Sequence, residues 1–220
     1  MIYSKTKIKR RSATRVFCLL CSILVLFSAL TSCSGVSSLK NDGNGGYVDK
    51  KGDVRYVPAS GCFEPASVGE EYRKIDKTTL YEIGDLDPSL WLCEKDSYNV
   101  FHSDEITIPD FANMTITEIK LCYQDKYIME FASIKEKEVI DKVSDVYLNG
   151  EPGLGFATYP DHTVAVKVVF SECPNIYFCM NYAYNDDGEA YLTNRYEGKI
   201  IKADGLFDAY TIGSTEGETK

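Results

Sequence analysis

Hydrophobic residues recur along this chain with two different periods, and the change from one to the other marks its elements. Val164, Val166, Val168 and Phe170 alternate with a second row within 163–170, and Ile176, Phe178, Met180 and Tyr182 do the same within 175–184. A period of two places successive side chains on opposite faces, so both stretches predict strands with one buried face. Asn185-Asp186-Asp187-Gly188 is a turn signal that leads into a further strand over 189–193. A short strand at 198–202 and a helical turn within 204–210 complete the C-terminal part. Upstream, apolar runs at 90–93 and 98–101 flank Glu94-Lys95-Asp96-Ser97, and runs at 119–123 and 127–131 flank Gln124-Asp125-Lys126. Each pair predicts a hairpin. Residues 53–88 are harder to divide, because short apolar clusters stand between Gly, Pro and charged residues.

The period changes to that of a helix after 131. Ser133 and Glu136 have the spacing of a capping box; Ile140, Val143, Val146 and Tyr147 follow at helical intervals, and Asn149-Gly150 closes the run. The charged residues of 135–145 fall mostly on the other side, so the helix should lie on a sheet. The pattern predicts an α+β domain over 53–220: a largely antiparallel sheet of hairpins with one main helix, about 133–148, packed on it.

The N-terminal part follows neither period. Met1–Arg15 carries six basic and no acidic residues, and 16–30 is fifteen residues without a charge. As a helix that run spans roughly 22 Å, short of a hydrocarbon core of roughly 30 Å, which suits the apolar region of an export signal better than a permanent span. Leu30-Thr31-Ser32-Cys33 stands directly after it. Basic region, apolar region and this box, in that order, resemble the signal peptide and lipobox of bacterial lipoproteins. The resemblance covers the first 33 residues. It implies cleavage between Ser32 and Cys33, removal of 1–32, fatty acylation (palmitate among the acyl groups) on Cys33, and attachment to the extracytoplasmic face of the cell membrane. Residues 34–52 are rich in Ser, Gly, Asn, Asp and Lys, which predicts that 33–52 is a lipidated N-terminus and flexible tether.

Charge narrows the partners. Residues 33–220 hold 18 basic against 33 acidic residues, a formal charge of −15. Such a domain is repelled by nucleic-acid phosphates, so no nucleic-acid partner is expected, and a cationic ligand or protein is better matched. Five cysteines follow Cys33: Cys62, Cys93, Cys122, Cys173 and Cys179. An odd number cannot all pair within one molecule, and spacing leaves the pairing open. Cys122 and Cys179 face away from the apolar rows and would meet if their strands were neighbours. No Cys-x-x-Cys, P-loop, Gly-x-Ser-x-Gly or spaced histidine pair occurs, so no metal, cofactor or catalytic residue is assigned.

Tyr177, Tyr182, Tyr184, Tyr191 and Tyr196 cluster around the 185–188 turn, and aromatic clusters of this kind suit carbohydrate or peptide recognition. The expectation is a membrane-anchored lipoprotein acting as a non-catalytic binding module with these tyrosines as its surface. Two other readings stand beside it: a cell-wall hydrolase using a carboxylate pair, and an immunity-type inhibitor of a cationic toxin or peptide.

Overall fold

The computed structural model describes residues 39–49, 54–75, 77–124 and 128–211. Ser32 and Cys33, with the whole segment read above as an export signal, lie outside the described residues. Among those described, no helix is long and apolar enough to cross a membrane. The architecture is sheet-dominated and antiparallel with one main helix, so the coarse α+β expectation holds.

The first sheet joins β1 (Leu39–Asn41), β2 (Tyr47–Asp49), β3 (Val54–Pro58), β5 (Val68–Ile75), β6 (Thr78–Ile83), β7 (Trp91–Glu94) and β8 (Val100–Ser103) in the order β1-β2-β3-β8-β7-β6-β5. Its outermost strands, β1 and β5, come close to one another, so the sheet curls around a small core of its own. Leu39, Tyr47, Tyr56, Ile75, Leu80, Leu92 and Phe101 fill that core. The hairpin predicted around 94–97 is present: Leu92 pairs with Phe101 and Cys93 with Val100. Residues 39–49, expected to be tether, instead form two strands. Leu39 and Tyr47 bury against the curled sheet, and this apolar contact outweighs the ordering entropy of a polar segment.

The second sheet follows the order β10-β9-β11-β12-β13-β14, built from β9 (Ile116–Gln124), β10 (Ile128–Ile134), β11 (His162–Phe170), β12 (Ile176–Tyr184), β13 (Ala190–Asn194) and β14 (Lys199–Lys202). A short strand, β4 (Phe63–Pro65), pairs with the first half of β12, so it continues the line that β13 occupies along the second half. The alternating rows of β11 and β12 lie as their period requires. Val164, Val166, Val168, Phe170, Ile176, Phe178, Met180 and Tyr182 all face the main core.

Helix α1 (Lys137–Asn149) covers that core with Ile140, Val143 and Tyr147. It starts four residues later than the sequence suggested. Ser133 belongs to β10, and its hydroxyl donates to Glu118 Oε1 on the neighbouring strand at 2.6 Å. Glu136 is the N-cap residue and makes no side-chain cap bond. The strand ladder therefore claims the serine that a capping box would have used. At the other end Gly150 is obligatory, since a Cβ there would overlap the Val146 carbonyl and the Ile201 side chain. A 3-10 turn (Phe111–Asn113) and a C-terminal turn, α2 (Asp208–Thr211), close the same face.

The two sheets share this core. Ile83, Cys93 and Val100 point from the first sheet into the cluster that holds Phe178, while Leu80, Leu92 and Phe101 of the same strands point into the curled core. Within 53–88, β5 is mostly exposed and bulged, and β6 buries only Leu80 and Ile83, on opposite faces, so neither keeps a clean period and the region resisted division.

Candidate binding site

The face of the second sheet turned away from α1 carries the polar chemistry. On β11 it presents Thr163, Ala165, Lys167 and Val169; on β12 it presents Tyr177, Cys179, Asn181 and Ala183. One half of this face is a charged strip. Lys167 is 8% exposed, and its ammonium donates to Glu64 Oε2 on β4 at 2.9 Å. Burial pulls the Lys167 pKa down, but the hydrogen bond and charge of Glu64 outweigh it, so the net shift is upward. The ammonium also lies 5.3 Å from the centre of the Tyr177 ring, and Lys120 beside it donates to Glu130 at 2.9 Å. Removing Glu64 leaves a buried charge without its partner. Glu64→Ala is expected to cost about 1–3 kcal/mol, less than for a fully buried pair because the glutamate keeps some contact with water. Urea titration should show that loss, with Glu64→Ala/Lys167→Met recovering most of it; an unchanged midpoint in the single variant would refute this role for the pair.

Cys122 and Cys179 lie in this strip on β9 and β12, but β11 runs between those strands. Cys122 is opposite Ala165 and Cys179 opposite Lys167, so the two thiols are separated by a whole strand and do not meet. All five described cysteines are free.

The other half of the face is a groove of about 440 Å³, within the size range of small-ligand sites. Thr163, Asn181, Ala183, Tyr191 and Thr193 form its floor, and the segment after α1 forms its wall through Gly155, Phe156, Thr158 and Pro160. The wall is anchored at the sheet edge. Lys202 N–H donates to the Glu151 carbonyl at 2.9 Å, Gly153 N–H donates to the Ile200 carbonyl at 2.8 Å, and Pro152 bridges Ile201. Gly153 lets the backbone lie flat on the Tyr191 ring, because a Cβ there would overlap that ring. The Tyr191 ring is held from two sides: Phe156 stands edge-on with centroids 4.8 Å apart, and the hydroxyl donates to Glu189 Oε1 at 2.8 Å. That acceptor, together with burial, raises the phenol pKa. The Thr193 hydroxyl reaches the Asn181 carbonyl at 3.4 Å.

Of the five tyrosines expected to form one surface, only Tyr191 lines the groove. Tyr182 is in the main core, 1% exposed and edge-on to Phe207. Tyr177 belongs to the charged strip. Tyr184 stacks on His162, and its hydroxyl donates to the Thr211 carbonyl at 3.3 Å. Tyr196 is 72% exposed and lies over Gly61, where a Cβ would overlap its ring. The cluster is thus dispersed, because strand alternation sends Tyr182 inward and Tyr177 and Tyr191 outward. Loop residue Phe156 and the turn residue Arg195, also in the groove lining, were not singled out from the sequence. The Gly- and Pro-rich run 152–160 beside a strand was the available signal.

A second cavity, of about 370 Å³, lies between the sheets and is lined by Ser60, Cys62, His102, Asp110, Phe111 and Glu197 among others. Of its two acids, Asp110 and Glu197, the second is committed to neighbours. The Tyr147 hydroxyl donates to Glu197 Oε2 at 2.7 Å, Lys199 pairs with the same oxygen at 3.1 Å, and Cys62 lies 3.9 Å from Oε1. Cys62 Sγ and Ser60 Oγ are 2.7 Å apart. The two histidines sit on different sheets. His102 on β8 packs against Trp91, and His162 on β11 contacts Asp186 Oδ1 at 2.9 Å. Among the described residues no group of three or more His, Cys, Asp or Glu side chains converges as a metal site. Comparison of the chain with protein-family models, with curated proteins and with solved structures finds no match.

Proposed function

We propose that this chain is a lipoprotein, held through acylated Cys33 on the extracytoplasmic face of a membrane, whose folded domain binds a saccharide without chemical turnover. The observation that carries the binding role is the groove on the outer sheet face. Saccharides present hydroxyls around an apolar ring, and they are held by side-chain hydroxyl and amide groups beside an aromatic surface. Thr163, Asn181 and Thr193 supply the first, and half-buried Phe156, braced edge-on by the buried Tyr191 ring, supplies the second. No acid lines the groove, so it lacks the carboxylate pair that glycoside hydrolysis requires. The anchor is supported by the order of basic region, apolar region and Leu30-Thr31-Ser32-Cys33.

Ligand-observed NMR on the full-length protein in detergent, with D-glucose and its β-1,4-linked oligomers as probes, should give saturation transfer. Thr163→Trp, which fills the groove from an exposed position, should abolish it. Transfer that survives Thr163→Trp, or none from any sugar, would overturn the reading. For the anchor, Cys33→Ser should eliminate fatty-acid labelling and leave unprocessed precursor, and persistent labelling would refute the assignment.

The cavity between the sheets favours a second reading, a cell-wall hydrolase, because it places Asp110 and Glu197 in one lining. Release of reducing sugar from purified cell wall, lost in Glu197→Gln, would establish it over the first.

A further inference from the structure

We propose that the groove selects an acidic saccharide, with Arg195 binding the sugar's carboxylate. This rests on the groove being the saccharide site and adds the ligand's charge. Although residues 33–220 carry 33 acidic against 18 basic residues, the groove lining contains Arg195 and Lys199 and no Asp or Glu. The local sign is therefore opposite to that of the domain.

The two cations are not equivalent. Lys199 is committed, with its ammonium 3.1 Å from Glu197 Oε2 and 4.2 Å from the centre of the Tyr147 ring. Arg195 makes no ion pair or side-chain hydrogen bond among the described residues. Its backbone, however, is fixed. Asn194 is 2% exposed; its side-chain carbonyl accepts the N–H groups of Tyr196 at 3.1 Å and Glu197 at 3.3 Å, and its amide donates to the Tyr147 hydroxyl at 3.1 Å. The turn after β13 is thus tied to α1 through a buried tyrosine, and Arg195 emerges from it at the groove.

A guanidinium is planar, permanently charged and shaped to hold both oxygens of a carboxylate. A free one, on an anchored turn beside hydroxyl donors and an aromatic ring, matches a pyranose bearing a carboxylate. The net negative charge of the domain opposes anions at long range, so discrimination must come from this contact.

The test is titration of the full-length protein in detergent with D-glucuronate, D-glucose and inorganic phosphate, followed by ligand-observed NMR. Glucuronate should bind at least about tenfold more tightly than glucose. Arg195→Gln should bring glucuronate to the level that glucose shows on the same variant, and Arg195→Lys should keep part of the preference. Equal affinity for the two sugars, or a preference that survives Arg195→Gln, overturns the acidic selectivity and leaves the saccharide reading standing. Phosphate binding as tightly as glucuronate, with no glucose binding, would keep the anion contact and overturn the saccharide reading instead. Binding of no probe overturns both.

Discussion

Raising the pH above about 10 is expected to unfold this protein cooperatively, because its core holds phenol and thiol protons that the unfolded chain gives up. Burial raises Tyr56, Tyr147 and Tyr182, Tyr182 to about 12 and the other two further. At Tyr147 the adjacent Glu197 carboxylate adds to the effect. Burial also pushes Cys93 up to about 12 and raises Cys122, Cys173 and Cys179. In an unfolded chain thiols lose their protons near about 8.5 and phenols near about 10. All these shifts are upward, so above those values the folded state binds more protons than the unfolded state, and stability falls as pH rises. The stabilisation is intact below about 8.5, begins to fail as the unfolded thiols ionise, and is lost through the folded values near about 12 and beyond. Lys167, also raised, acts in the same direction above about 10.4.

Each group that is ionised only in the unfolded state removes about 1.4 kcal/mol per pH unit. The five phenols and thiols with large shifts, Tyr56, Tyr147, Tyr182, Cys93 and Cys179, acting together would exhaust a stability of about 5–15 kcal/mol within one or two units. Circular dichroism and tyrosinate absorbance should therefore change together between about pH 10 and 11, and Tyr182→Phe should delay the change. Phenols that ionise gradually while the sheet signal persists would contradict the expectation.

Phe178→Ala should be the most damaging single substitution in the core, costing about 3–5 kcal/mol. Phe178 is a ring on which four elements converge. Its centroid lies 5.1 Å from Phe111, 5.5 Å from Tyr147, 5.6 Å from Phe63 and 6.2 Å from Phe170. These four come from the 3-10 turn, α1, β4 and β11, so collapse around the vacancy would have to move four elements at once. The turn that carries Arg195 is tied to Tyr147, and the cavity between the sheets is lined by Phe178 itself. Denaturant unfolding should show the midpoint falling with little change in slope. Phe178→Leu, which keeps most of the volume, should cost about half as much or less; a loss under about 1 kcal/mol in the alanine variant would refute the central role of this ring.

The elements that could be read along the chain were those with an unbroken apolar row toward the main core, or a clear turn between two apolar runs. β11, β12 and α1 each display such a row, and the period of that row is set by backbone geometry alone. In the first sheet the β7–β8 hairpin was legible from its turn, but the strands within 53–88 were not. In β5 two bulges break the register with β6, and in β6 Leu80 faces the curled core while Ile83 faces the main core, so neither strand shows a clean period. The start of α1 was misjudged because Ser133 had two partners available, a helix N-terminus and Glu118 on the next strand, and only strand pairing decided between them.

The sequence alone determined which residues would be strand or helix wherever an apolar row keeps its period, and it determined the charge of the domain and the basic-then-apolar composition of its N-terminal segment. These follow from local period and composition, which need no partner. The tertiary structure decided which faces meet. It separated five neighbouring tyrosines into core, strip, groove and surface, placed β11 between Cys122 and Cys179, and brought the 152–160 segment over β11–β13 to make a groove free of acids. Contacts between residues distant along the chain depend on strand order, and strand order is set by how the whole apolar surface can be buried at once.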